Sequence, residues 1–267
     1  MNIQAYLERI RFSHSVTPDL NTLRLLARAH VSAVPFENLD QQMGVEVSTN
    51  VERVFEKVVH RQRGGWCFEL NGLFYWLLKE IGFDVSMHAA FVRPDKPGAG
   101  EVGDHMFLIV NCDGSYLVDV GFGGGALEPV SFHIAASTQP PYTIAISEEE
   151  DGWHKYSETT KGNEGCYWFT LDEVDTSYFE PSNHRLQTDP NSSFRRTLTA
   201  QIRLEGKHVV LRGLVKKTYT PSEVSEERLR DENALVECLL ADFGLDVPQI
   251  SDCWPSLVKR HEELFGA

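Results

Sequence analysis

Apolar side chains recur every three to four positions from about residue 3 to residue 82 and every second position thereafter, so a helical segment precedes a β-rich one. In TLRLLARAH (22–30), Leu23, Leu26, Ala27 and His30 fall at i, i+3, i+4 and i+7. This predicts an amphipathic helix, opened by Pro18-Asp19 and closed at Val34-Pro35. Residues 52–60 predict a second, short one. A third is predicted over 67–81 with Gly82 as its stop, and Cys67, Leu70, Phe74, Leu77, Leu78 and Ile81 would share its buried face.

Beyond Phe83 the alternation predicts strands at 86–92, 104–111 and 115–120, with a long Gly/Pro loop over 94–103. Strands at 142–146 and 153–156 flank the acidic run 148–152, which predicts a solvated hairpin tip. Residues 181–193, polar and proline-bearing, suggest a linker or surface crossing. Residues 194–204 and 208–214 alternate around Glu205-Gly206-Lys207 as a hairpin would. Glu/Arg pairs at helical spacing over 222–240, with Leu235, Leu239 and Leu240 as a stripe, predict a closing helix. No internal repeat is visible.

The chain has 267 residues, which suits two or three subdomains because single cores stop growing near ~250–300 residues. With 42% hydrophobic and 24% charged residues it has the composition of a globular protein. No apolar run of membrane-spanning length and no secretory leader pattern is present, so a cytoplasmic location is expected. The formal net charge of −14 and the lack of a Lys/Arg-rich run argue against nucleic acid and anionic membranes as partners. Cys67, Cys112, Cys166, Cys238 and Cys253 are scattered and show no CxxC spacing, so neither a disulfide framework nor a metal site is expected.

RGGWCFELNG (63–72) places a thiol at the start of the third predicted helix. There, unpaired N–H groups and the positive end of the helix dipole favour an anion, which is how thiols become nucleophiles. The Cys67 amide is a candidate oxyanion donor, and Gly64-Gly65 would let a substrate approach the sulfur. A core cysteine beside two loop glycines is the plain alternative.

His105 and Asp119 sit in neighbouring apolar strands, where neither residue type is common. The intervening turn decides whether they meet. A two-residue loop, Asp113-Gly114, would set them on opposite faces. A three-residue loop, Cys112-Asp113-Gly114, pairs Asn111 with Ser115, places His105 and Asp119 on one face, and puts glycine third, where a left-handed residue is wanted. Cys67, His105 and Asp119 then form a candidate nucleophile, base and orienting acid. The run VGFGGGA (120–126) superficially matches a dinucleotide fingerprint, but a hairpin precedes it and no good helix follows. It suggests a loop that admits a ligand and offers amides to phosphates.

With these residues in place, the sequence resembles the arylamine N-acetyltransferase family. The resemblance lies in TLRLLARAHVSAVPFENLD (22–40), RGGWCFELNGLFYWLLKEIGF (63–83), DHMFLIV (104–110) and YLVDVGFGG (116–124), and continues faintly through YFEPSNHRLQTDPNSSF and ADFGLD. It implies an α+β fold made of an N-terminal helical bundle, a central β-barrel and a C-terminal α/β lid, around a cysteine-protease/transglutaminase-like catalytic core. The corresponding divisions are 1–84, 85–190 and 191–267. It further implies that Cys67, His105 and Asp119 are catalytic, that acetyl-CoA is the co-substrate, and that the acetyl group passes through a Cys67 thioester to an arylamine, arylhydrazine or arylhydroxylamine. Phe122 matches an acceptor-contacting position and Gly123-Gly124 the path of the CoA arm. Arg63 falls among the binding residues, or orients the loop or pairs with an acid, while Glu69 and Asn71 act as supports. A transglutaminase-like or papain-like hydrolase using the same three residues is the competing reading, and a catalytically silent scaffold a third.

Overall fold

The computed structural model describes residues 1–266, with Glu150 by its backbone alone; Ala267 and the Glu150 side chain of the acidic run lie outside the described residues. The N-terminal part carries helices α1 (Ile3–Arg9), α2 (Leu20–Ala33), α3 (Leu39–Gln42), α4 (Val51–Phe55) and α5 (Cys67–Ile81). Asp19 caps α2 by accepting the Thr22 amide, and a π-turn (Glu56–His60) extends α4. Helix α5 has the predicted span and ends at Gly82, whose φ of 101° is left-handed. Leu70, Leu73, Phe74, Leu77 and Leu78 of α5 are fully buried, each withdrawal contributing roughly 1.5–3 kcal/mol, whereas Ile81 stays half-buried.

An eight-stranded antiparallel sheet follows. It is built from β2 (Asp84–Phe91), β3 (His105–Asn111), β4 (Ser115–Val118), β5 (Val130–Ser131), β6 (Ser137–Gln139), β7 (Tyr142–Glu148), β8 (His154–Thr160) and β9 (Asn163–Glu173), in the order β5-β4-β3-β2-β9-β8-β7-β6. Ala90, Phe107, Leu117, Val130, Ile144, Tyr156 and Phe169, from seven of these strands, meet in one core, so the sheet curls into a nearly closed barrel. Glu148, Glu149 and Asp151 are exposed at the β7–β8 tip.

Residues 181–193 are not a linker. Residues 181–188 belong to α6 (Glu180–Thr188), where Pro181 occupies the first turn and needs no N–H donor, and after a short turn Ser193 opens α7 (Ser193–Arg196), which also takes Phe194 out of the predicted strand. The polar residues of α6 are used internally: Asn183 and Gln187 donate to the Val47 carbonyl, and Gln187 accepts the Val47 amide.

The C-terminal sheet contains β10 (Thr199–Leu204), β11 (Lys207–Arg212), β12 (Val215–Tyr219) and β13 (Val224–Arg228), and is followed by α8 (Glu232–Phe243) and α9 (Trp254–Phe265). Of the helix predicted over 222–240, only the part from Glu232 is helical, and Val224–Arg228 is strand β13. Its acids pair across the ladder, Glu227 with Lys216 and Glu226 with Lys217, both at 2.9 Å. Those charges mimic helical spacing because β13 is exposed on both faces and shows no alternation. The edge strand beside β10 is β1 (Phe36–Glu37), from within the segment expected to be helical.

Candidate active site

Helix α5 starts inside a buried ionic cluster. The Trp66 amide donates to Glu69 Oε2 at 3.0 Å, capping the helix from its third position. Lys57 Nζ reaches Glu69 at 2.8 Å and Asp40 at 2.9 Å. Arg63 reaches Asp40 at 2.9 Å and Glu37 at 2.8 Å. Burial alone would push the Lys57 ammonium down, but Glu69, Glu37 and Asp40 hold it above the usual lysine range. Burial raises the Glu69 carboxyl despite Lys57, whereas Lys57 and Arg63 together overcome burial at Asp40 and hold it low.

Of the roles expected of Arg63, pairing with an acid is the one seen: its guanidinium is engaged by Glu37 and Asp40. Gly64 and Gly65 admit the protein's own chain. A methyl group on Gly64 would stand 2.0 Å from the Pro35 carbonyl oxygen and one on Gly65 2.7 Å from Glu69 Oε2, while Glu37 donates its amide to the Gly65 carbonyl.

The β3–β4 hairpin has the three-residue register: Asn111 pairs with Ser115 and Leu108 with Val118. The left-handed conformation begins one residue earlier than predicted, at Asp113 (φ 51°), and continues at Gly114 (φ 128°). The register is what matters for chemistry. It brings His105 Nε2 within 2.7 Å of Asp119 Oδ2. Asp119 Oδ1 accepts from Asn71 Nδ2 at 2.9 Å and from the Gly121 amide at 3.0 Å. Asn71, on the helix that starts at Cys67, also donates to the Met106 carbonyl and accepts the Val120 amide.

Cys67, His105 and Asp119 are 3%, 2% and 7% exposed, so their charges are weakly screened by water. Burial would push His105 down, yet Asp119, with Cys67 adding to it, brings the imidazole up to about 10. Burial would raise Asp119, and His105, Asn71 and Gly121 together hold it below the usual carboxylate range. The Cys67 sulfur also lies 3.9 Å from the Asp104 carbonyl. The arrangement is a thiol at a helix start, next to a base whose other nitrogen is fixed by a carboxylate.

Phe122 and Tyr167 line the imidazole, with ring centroids 5.3 and 5.1 Å from it. The glycines around Phe122 again make room for the protein itself. A methyl on Gly121 would lie 2.8 Å from Cys67 Cα, and one on Gly124 2.0 Å from Glu158 Oε1. The amides of Gly121 and Gly125 are taken by Asp119 and Glu158, so they are not free for phosphates.

Lys57, Glu37, Asp40 and Glu158 escaped the sequence reading. A signal existed for Lys57, which falls in phase with the apolar Val54 and Val58 and so had to be buried. Glu37 and Asp40 lie in the FENLD run, but only the fold sets it against RGG. Glu158 carries no local signal until β8 and β9 are paired.

The N-acetyltransferase family profile matches residues 19–251. The arylamine N-acetyltransferase of Mycobacterium bovis is 31% identical over 278 aligned positions, covering 100% of this chain and 96% of that protein. The chain belongs to the arylamine N-acetyltransferase family. Human arylamine N-acetyltransferase 2 is 34% identical over 223 residues, covering 74% of this chain and 76% of its own. The structure of Mycobacterium marinum arylamine N-acetyltransferase in complex with CoA superposes with a TM-score of 0.87 at 28% identity, over 98% of this chain and 99% of that one. As a member of this family the protein is an acetyltransferase of α+β fold. Among the described residues no helix is long and apolar enough to cross a membrane, and no group of His, Cys, Asp and Glu is placed to hold a metal ion.

Proposed function

We propose that the protein transfers an acetyl group from acetyl-CoA through a Cys67 thioester to the nitrogen of an arylamine or arylhydrazine, or to the oxygen of an arylhydroxylamine. The observation that carries this is the His105–Asp119 hydrogen bond beside Cys67. Asp119, held low, keeps the proton on Nε2, which leaves Nδ1 to take the thiol proton. The thiolate attacks the acetyl carbon and forms the C–S bond; the carbonyl oxygen gains charge near the Cys67 amide, which has no intrahelical acceptor at this first position. Collapse expels the CoA thiolate, which takes the proton from His105. In the second half, the acceptor attacks the thioester, His105 removes its proton, and Cys67 leaves as thiolate.

Phe122, against His105, meets the aromatic acceptor, and the CoA arm passes along Gly123-Gly124. The CoA bound to the Mycobacterium marinum relative supports a CoA thioester as donor. Mass spectrometry after mixing with acetyl-CoA alone tests the scheme. A gain of about 42 Da on Cys67, discharged by an aromatic amine and only slowly by water, is expected. No adduct, or rapid loss to water, moves the assignment to a cysteine hydrolase.

A further inference from the structure

Glu158 lies on β8, turned into the barrel and 2% exposed, and no step of the chemistry above uses it. A single oxygen, Oε2, accepts from the Gly125 amide at 2.6 Å and from the Tyr156 hydroxyl at 2.9 Å. The surroundings are cut to fit this carboxyl. A methyl on Gly125 would stand 2.6 Å from the Tyr142 ring and 3.0 Å from Oε2, and one on Gly165, the cross-strand partner of Glu158 on β9, 3.0 Å from Oε1. The bare Gly165 backbone also seats Phe122, whose ring would come within 3.1 Å of such a methyl. Phe122 packs on Tyr156 at 5.9 Å and on Tyr167 at 5.1 Å, so the ring rests on the strand pair that carries Glu158.

The Gly-rich loop is therefore held at two ends by different groups. At its start, Asn71 and Asp119 take the amides of Val120 and Gly121. At its far end, Glu158 takes the Gly125 amide while Arg203 donates to the Gly125 carbonyl at 3.0 Å. Phe122 lies between these anchors.

We propose that Glu158 is a positioning residue that fixes Phe122 for the aromatic acceptor by anchoring the far end of the Gly-rich loop, an assignment that rests on the acceptor role given to Phe122 above. Because Asn71 and Asp119 anchor the end of the loop next to Cys67 and His105, losing Glu158 falls on the seating of the acceptor and spares the acetylation of Cys67 once acetyl-CoA, whose arm passes along Gly123-Gly124, is saturating. Glu158→Gln keeps an oxygen able to accept both hydrogen bonds, whereas Glu158→Ala keeps none.

Three measurements on the full chain decide it. Hydrogen exchange of the peptide spanning 122–126 should quicken about tenfold in Glu158→Ala and stay near wild type in Glu158→Gln. The acceptor KM should rise about tenfold in Glu158→Ala, with single-turnover acetylation of Cys67 at saturating acetyl-CoA within about threefold of wild type, and Glu158→Gln should restore it. An unchanged KM, an equal loss in the acetylation step, or no rescue by glutamine overturns the proposal. Failure of the wild-type protein to form acetyl-Cys67 would overturn the acetyl-transfer scheme instead, and the exchange rates would still decide whether Glu158 holds the loop.

Discussion

Asn71 Nδ2 and Asp119 Oδ1 lie 2.9 Å apart and tie the helix that begins with the sulfur to the hairpin that ends with the acid. The same side chain donates to the Met106 carbonyl and accepts the Val120 amide, and it is fully buried. Asn71→Ala would leave these partners unpaired in a dry site. A loss of about 2–4 kcal/mol is expected, together with slower acetylation of Cys67. Urea unfolding and single-turnover labelling would show both; a change in stability alone would mean that Asn71 has no part in placing Asp119.

Asp119→Asn should keep the fold and lose about a thousandfold in the acetylation rate, because an amide neither fixes the His105 tautomer nor stabilises its charge. The pH dependence follows in sign. His105 is raised to about 10, so the stabilisation of its charged form by Asp119 is fully present below the ordinary histidine range and is lost as pH rises through that value. In the variant, iodoacetamide labelling of Cys67 near and below neutral pH should be slower than in wild type, because a less stabilised imidazolium holds less of the sulfur as thiolate. Superimposable profiles would remove Asp119 from the mechanism.

Lys57→Met should destabilise the protein by about 3–5 kcal/mol, since it strips Glu69 and Asp40 of their buried cation. Denaturant midpoints measure this. A loss below about 1 kcal/mol would show that Arg63 alone sustains the cluster.

Glu158 gives a pH effect of opposite sense to an ion-paired acid such as Asp40. Burial pushes its carboxyl up to about 7, with Asp119 adding and the Gly125 amide, the Tyr156 hydroxyl and Arg203 opposing; Tyr142 and Tyr167 also face it. The folded chain thus keeps a proton that the unfolded chain has lost between the ordinary carboxylate range and that value, so wild-type stability falls as pH rises through the window. Glu158→Gln is free of this cost. Its stability relative to wild type should grow by up to about 3 kcal/mol from pH about 4 to pH about 8, and a pH-independent difference would show that folding leaves the Glu158 carboxyl unshifted.

What the sequence disclosed and what it hid divide along a physical line. Helix α5 was legible because its pattern, its start and its glycine stop are local, and the β3–β4 register because one turn length decides it. The hairpin β12–β13 was hidden because exposed strands lack alternation and their charges answer to a partner strand. The glycines of 64–65 and 121–125 were legible as places of close approach, but what approaches them comes from Pro35, Glu69, Cys67 and Glu158, whose proximity only the fold supplies. The ionic cluster behind Cys67 was hidden for the same reason, Lys57 excepted.

Strand β1 adds a constraint of timing. Phe36 and Glu37 pair with Gln201 and Ala200, Phe36 bridges to Gly65, and Glu37 pairs with Arg63. A chain growing from the ribosome has made Cys67 long before it makes β10, and contacts so distant in sequence close late. The support behind the Cys67 helix start is consequently completed only after most of the polypeptide has been translated, later than the hairpin that carries His105 and Asp119.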